Sequence, residues 1–426
     1  MIPLLLIFVL MWLFKSPWLA PYTDTGHSSS IALGFVLIFA FLFGKKIQRF
    51  KLPQITGFII AGLICGPYIL GFLSKSDVSN LQLLDGLALS LIALTAGGEM
   101  RLEKLKSGIK PLMSIILFQT LLIIAGFLGL CFLISPFFSF FSAESIEQTL
   151  VTSLLLGVLA TATSPSTTIA VMTETRAKGR FTELILNAAV VKDFIVIVLF
   201  AFSISFSKNI LSEVKEFDFL FLFSILKEIG LSLAVGGIVG GGIILYLKYI
   251  RRDMTIFILA VAFFTYQISH RYDLHPLMIC LLAGFLVENF SYLGEKLIQA
   301  IEKVSLPVFV VFFAISGASI NLEALSKTWI LALLFVLWRA VLKFSGTYIG
   351  ARISGENPAI QKNAWAGFIS QAGVTLGMAI VIEKAFPDWG KDFKTLVLAI
   401  IAINQIIGPV LLQKLLFKVD EAGKKE

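Results

Sequence analysis

The sequence is poor in charge. Only 15% of its 426 residues are Asp, Glu, Lys or Arg, against 57% hydrophobic. A soluble domain cannot hide that much apolar surface, so the composition excludes one and indicates a polytopic protein of the lipid bilayer. Histidine and cysteine are also scarce, with three of each. His27, His270 and His275 are too scattered for a metal site. Cys65, Cys131 and Cys280 lie in separate apolar runs, with no metal spacing and no disulfide framework. No nucleophile–base set or phosphate loop is present, so neither an enzyme nor a cofactor is expected. The net charge of +8 does not point to nucleic acid, because the basic residues sit in short loops between apolar runs, where they set orientation.

What the sequence does hold is apolar runs. The first, at 2–14, lacks a positively charged start and reads as a signal peptide or an extra membrane helix; with the polar linker after it, it fills residues 1–29. Thirteen core runs follow, at 30–45, 53–72, 82–98, 109–135, 150–172, 182–207, 224–249, 254–270, 274–292, 305–322, 328–351, 361–384 and 393–417, with a short tail at 418–426. The connections after the first, third, fifth and seventh runs are basic (Lys45, Lys46, Arg49; Arg101, Lys104, Lys106; Arg176, Lys178, Arg180; Lys248, Arg251, Arg252). Those after the fourth and sixth are acidic. The positive-inside rule then puts the odd-numbered connections and the C-terminus in the cytoplasm, for a multi-pass protein of the inner (plasma) membrane.

Two runs are interrupted at membrane depth. The fifth carries Thr163, Ser164 and four further hydroxyl residues around Pro165, which removes a backbone donor and disfavours helix before it. The twelfth carries Ser370, Gln371, Gly373, Thr375 and Gly377, whose glycines permit unusual dihedrals. Backbone groups freed within lipid must be satisfied by protein or by water in a cavity. Interrupted helices at matching places in two halves are the sequence pointer to a transporter's binding site. The fifth run is fifth of the first six, and the twelfth is fifth of the last six. Residues 30–207 and 254–417 are therefore expected to be inverted six-helix repeats with crossing discontinuous helices, linked by 208–253. Asn404 and Gln405 in the thirteenth run are the counterpart of Lys192 and Asp193 in the sixth.

Lys192-Asp193 is the most expensive pair in the sequence. At about 1.5 Å per residue, Asp193 lies roughly 16 Å into its run, near the centre of a ~30 Å hydrocarbon layer. A carboxylate there costs about 2.5–3.5 kcal/mol on insertion scales, and the default reading is an ion or proton site. Arg339 and Lys343 in the eleventh run are four residues apart and share one helix face. A base at this depth wants a carboxylate, so Lys343 is expected to pair with Asp193 if the two helices are neighbours.

In order along the chain, these features resemble the cation:proton antiporter-2 family of monovalent cation/proton exchangers. The resemblance runs from about residue 30 to 417. It is carried by Ala61-Gly62-Leu63-Ile64-Cys65-Gly66-Pro67-Tyr68, Thr95-Ala96-Gly97-Gly98-Glu99-Met100-Arg101, Ala160 to Arg180 followed by Asp193, Leu274-His275-Pro276, Ala283-Gly284, Gln371-Ala372-Gly373-Val374 and Asn404-Gln405-Ile406-Ile407-Gly408-Pro409. It implies a dimerisation domain, a mobile core on two crossing unwound helices, a homodimer, and an essential ion-binding aspartate at Asp193. A lysine that in some members pairs with the site's other acid matches Lys343. One departure matters: relatives place an acid or an amide before the aspartate, and this chain has Lys192.

The simplest mechanism uses Asp193 alone. Burial favours the neutral carboxylate and a nearby ammonium the charged one, so Asp193 can trade a proton for Na⁺ or K⁺, with Thr163 and Ser164 supplying further oxygens. One proton for one cation is electroneutral. Two alternatives follow from Lys192 and from the scaffold: an anion or solute transporter, or a partner-regulated K⁺ efflux pathway.

Overall fold

A computed structural model describes residues 25–137, 145–211, 219–250, 252–272, 274–371 and 373–423. The run at 2–14, Glu144, Arg251, the acidic residues after the sixth run and Lys424-Lys425 lie outside them. All regular structure among the described residues is helical.

In chain order the helices are α1 (Thr25–Ile47), α2 (Gln54–Cys65), α3 (Lys75–Asn80), α4 (Gln82–Glu99), α5 (Leu102–Ser107), α6 (Ile109–Ile134), α7 (Ile146–Thr161), α8 (Pro165–Thr175) and α9 (Arg180–Leu211). They continue with α10 (Phe219–Tyr249), α11 (Met254–Arg271), α12 (Pro276–Phe290), α13 (Gly294–Ala318), α14 (Leu322–Ile353), α15 (Pro358–Asn363), α16 (Gly373–Ala385) and α17 (Gly390–Lys418). Each of the thirteen runs carries helix. Among the described residues, six stretches are long and apolar enough to cross a membrane: α6, α7 with α8, α9, most of α10, α14 and α17. Three shorter apolar helices are α2, most of α4, and α12.

The chain divides into two compact units, each built from two separated stretches. One comprises residues 1–99 and 235–323, the other 100–234 and 324–426, so α10 is shared between them. The first unit packs around Leu91, Leu94, Ala262, Cys280, Ala283 and Leu297. Its helices meet backbone to backbone. A Cβ on Gly97 would lie 1.9 Å from the Leu281 carbonyl oxygen, and one on Gly284 would lie 2.2 Å from that of Leu94, so α4 and α12 approach to a distance only glycine permits. Small residues serve the same end wherever membrane helices pack closely.

The second unit packs around Phe127, Leu155, Leu159, Val196, Phe200, Phe335 and Phe393. Within it α14 lies against α6, where a Cβ on Gly346 would come within 2.5 Å of the Gln119 Cα. This unit contains every charged or polar residue singled out at membrane depth.

Candidate functional site

Two helix breaks face each other inside the second unit. The first is the gap between α7 and α8. Pro165 is the first residue of α8, and Ser164 caps it, its hydroxyl accepting from the Thr167 N–H. The second break follows a short 3₁₀ segment, Ala364–Phe368, and ends where α16 starts at Gly373. The breaks are joined directly by the Ser164 N–H, which donates to the Ser370 carbonyl at 2.9 Å. The interruptions are where the sequence indicates, but the glycines act differently. Gly373 and Gly377 are not among the described residues with left-handed backbone, so the second break follows the 3₁₀ segment without a left-handed glycine at either position.

The first break frees carbonyls in a countable way. In a helix each carbonyl accepts from the N–H four residues on. The Ala160 carbonyl would take the Ser164 N–H, which goes to Ser370 instead. The Thr161 carbonyl would take an N–H from Pro165, which has none. These ends carry the negative pole of α7. The two cations of α14 fill them. Arg339 donates from Nε to Ala160 at 2.8 Å, from Nη1 to Ile369 at 2.7 Å and from Nη2 to Ala162 at 2.7 Å. Lys343 donates to the carbonyls of Phe368 at 2.5 Å and Ala162 at 3.0 Å, and to the Thr163 hydroxyl at 3.0 Å. Both side chains are fully buried.

This changes the expectation for Lys343. Lys343 does not pair with Asp193: it spans the two breaks, sharing the Ala162 carbonyl with Arg339 and the Phe368 carbonyl with Thr163. The Thr163 and Ser164 hydroxyls are likewise engaged within the crossing. Thr163 accepts from Lys343 and donates to the Phe368 carbonyl at 3.3 Å, and Ser164 shares hydrogen bonds with Ser166 and Thr167. Gln371 is buried between elements, donating to the Leu159 carbonyl at 2.9 Å and accepting from the Asn404 amide on α17 at 2.8 Å. Thr375 and Gln405 are also buried.

Lys192 and Asp193 sit side by side in α9, both buried, at 0% and 4% exposure. Successive helical residues project about 100° apart, and the Lys192 ammonium is not hydrogen-bonded to Asp193. The Lys192 ammonium donates to the Gln119 side-chain oxygen on α6 and lies 5.0 Å from the Phe368 ring centroid. Gln119 in turn donates to the Thr347 hydroxyl, which donates to the Lys343 carbonyl at 2.6 Å. Both carboxylate oxygens of Asp193 are without a hydrogen-bond partner among the described residues, as is the side-chain oxygen of Asn404. Sequence reasoning missed Gln119. Its signal was a lone amide in the apolar run Ile115-Ile116-Leu117-Phe118-Gln119.

The tail also belongs to this unit. The Glu421 carboxylate accepts from the N–H groups of Phe181 and Thr182, at 2.9 and 2.8 Å, and from the Thr182 hydroxyl at 2.7 Å. It thereby holds the start of the helix that carries Lys192 and Asp193.

Among solved structures, the chain is similar to the sodium proton antiporter MjNhaP1 of Methanocaldococcus jannaschii, with a TM-score of 0.70 at 19% identity, covering 95% of this chain and 100% of that one. This likeness shows the fold. In sequence it is 24% identical to a Na⁺/H⁺ antiporter of Enterococcus hirae over 403 residues, 90% of this chain and 97% of that protein. It is also 24% identical to the Na⁺/H⁺-K⁺ antiporter GerN of Bacillus cereus over 404 residues, 92% of this chain and 97% of that one. Residues 33–418 match the family of transmembrane sodium/hydrogen exchangers. That span is nearly the whole chain, and the protein belongs to the sodium/hydrogen exchanger family.

Proposed function

We propose that the protein exchanges a monovalent cation for a proton by alternating access, with Asp193 as the shared carrier of both. One observation carries this reading: Asp193 is buried in an apolar helix, yet neither of its oxygens has a hydrogen-bond partner among the described residues, while the buried cations of the same unit are engaged elsewhere. Arg339 and Lys343 are committed to the helix breaks, and Lys192 to Gln119. A buried carboxylate with no internal partner is neutral when protonated and otherwise calls for a cation of equal and opposite charge. Proton and cation therefore compete for one group, and one-for-one exchange is electroneutral. Na⁺ is the first candidate cargo, and the K⁺ in the name of the Bacillus cereus relative makes K⁺ the second. Asn404, whose buried oxygen also lacks a hydrogen-bond partner among the described residues and whose amide donates to Gln371 of the second break, is a further polar group of the unit. Thr163 and Ser164 contribute through the shape of the break.

The inverted-repeat organisation, residues 30–207 and 254–417 about a linker at 208–253, belongs to the same proposal. What supports it is the division of each half: its first three runs fall in one compact unit and its last three in the other. Thirteen spans, a homodimer, the plasma membrane and a cytoplasmic C-terminus complete the reading.

The test is transport in proteoliposomes. An imposed pH gradient drives Na⁺, K⁺ or Li⁺ flux through the wild-type protein, and Asp193→Asn abolishes it. Undiminished flux in that variant refutes Asp193 as the carrier.

A further inference from the structure

We propose that Gln119 is a positioning residue of the exchange site, which takes the Lys192 ammonium as its hydrogen-bond donor and so leaves the Asp193 carboxylate unpaired for a transported cation. The inference rests on Asp193 being the carrier and adds what makes that possible in a chain with a lysine beside it.

A lysine ammonium is a compact charge on a flexible four-carbon stem. In a buried site it takes the best acceptor within reach, because a buried charge without a partner is among the costliest arrangements a protein can hold. The neighbouring carboxylate, one residue along the same helix, is the stronger acceptor by charge and has both oxygens open. The Lys192 ammonium nevertheless donates to a neutral amide oxygen. Three features make that choice the stable one. Gln119 is fully buried, so its oxygen is out of reach of bulk solvent. Its amide nitrogen is anchored on Thr347, whose own hydroxyl is anchored on the Lys343 carbonyl, which leaves the oxygen pointing to Lys192. The backbone of Gln119 is pressed against Gly346, which fixes the height of the amide on α14. The Phe368 ring lies under the same ammonium, on the segment whose carbonyl takes Lys343. Lys192 is thus housed in a compartment made by α6, α14 and the second break.

Without that housing, Lys192 becomes a tethered cation that competes with the transported one for the same two oxygens. A tethered competitor acts at high effective concentration, and the cost appears in the apparent affinity for the cation.

The experiment is a double-mutant cycle read by Na⁺-dependent proton flux in proteoliposomes. Gln119→Leu leaves the volume nearly unchanged and removes the acceptor. On the wild-type background it raises the KM for Na⁺ by roughly tenfold or more, the scale of coupling between residues in contact. On a Lys192→Met background, where there is no ammonium to house, the same substitution changes KM by less than about twofold. Asp193→Asn is measured alongside. Gln119→Leu with the wild-type KM overturns the proposal. So does an equal loss on both backgrounds, which makes Gln119 a structural residue only; thermal stability of each variant in detergent identifies that case. If Asp193→Asn still transports, the carrier assignment fails and this inference with it. If Asp193→Asn is inactive and the cycle shows no coupling, only the role of Gln119 fails.

Discussion

Replacing Arg339 by methionine tests the proposition that the cations of α14 exist to close the two helix breaks. The substitution keeps an unbranched side chain of moderate length and removes every donor. Three carbonyls then lose a close partner: Ala160, Ala162 and Ile369, now at 2.7–2.8 Å from the guanidinium. Leaving a buried acceptor unsatisfied costs about 1–3 kcal/mol, which gives roughly 3–9 kcal/mol gross. Two effects reduce the total. Lys343 still reaches the Ala162 carbonyl at 3.0 Å, and burying the guanidinium itself costs several kcal/mol that the variant no longer bears. The expected loss is therefore about 3–5 kcal/mol, the range found when one partner of a buried charged contact is removed. Each 1.4 kcal/mol is a factor of ten, so the folded-to-unfolded ratio falls by at least a hundredfold. Arg339→Lys should lie between, since an ammonium keeps the charge but not the planar fork that reaches three carbonyls at once. The assay is thermal unfolding of the purified protein in detergent, with proton flux in proteoliposomes recorded in parallel. An Arg339→Met variant that melts with the wild type would refute the reasoning, because the freed carbonyls would then have found other donors.

Further expectations follow. Gly284→Ala adds one carbon at a point 2.2 Å from the Leu94 carbonyl oxygen; the backbones must separate, and the cost is at least about 1–3 kcal/mol, read as a lower melting temperature. Glu421→Ala removes the acceptor at the start of α9. It should cost about 1–2 kcal/mol, as a lost helix cap does, and raise hydrogen exchange at the Phe181 and Thr182 amides by about tenfold. Unchanged protection at those two amides would show that the tail does not hold the helix.

The parts of the site that were legible in the sequence are those set by local covalent chemistry. Pro165 lacks an N–H whatever surrounds it, so the first break could be read from the chain alone. Hydroxyl residues clustered in an apolar run marked its place, and Ser370-Gln371 marked the second break. The depth of Asp193 followed from counting residues. Partners were not legible. Lys343 looked like a counter-ion because its carboxylate candidate was visible as a letter, whereas the carbonyls it caps are backbone atoms present at every position and freed at only a few. Gln119 escaped for a related reason. One amide in an apolar run carries no periodicity, and its meaning depends on which lysine and which threonine two other helices bring to it. The role of Glu421 was hidden because an exposed acidic tail and a helix cap look identical until the helix start is in place.

The interleaving of the two units has a consequence for how the protein is made. The Ala162 carbonyl waits for a guanidinium 177 residues downstream. At about 5–20 residues per second of synthesis, roughly 9–35 s pass between them. Throughout that interval the ribosome has delivered a broken helix to a membrane that has no donors to offer it. The nascent first half must therefore be sheltered, with its broken segment kept in contact with water or with the insertion machinery, until α14 arrives. Lys192 is better served, since Gln119 precedes it in the chain by 73 residues and is already in place when α9 emerges. Translation order thus supplies the ammonium's acceptor early, while the rest of its compartment and the crossing both wait for α14 and the second break, and a pause or truncation before α14 would release a chain whose most polar backbone lies open to lipid.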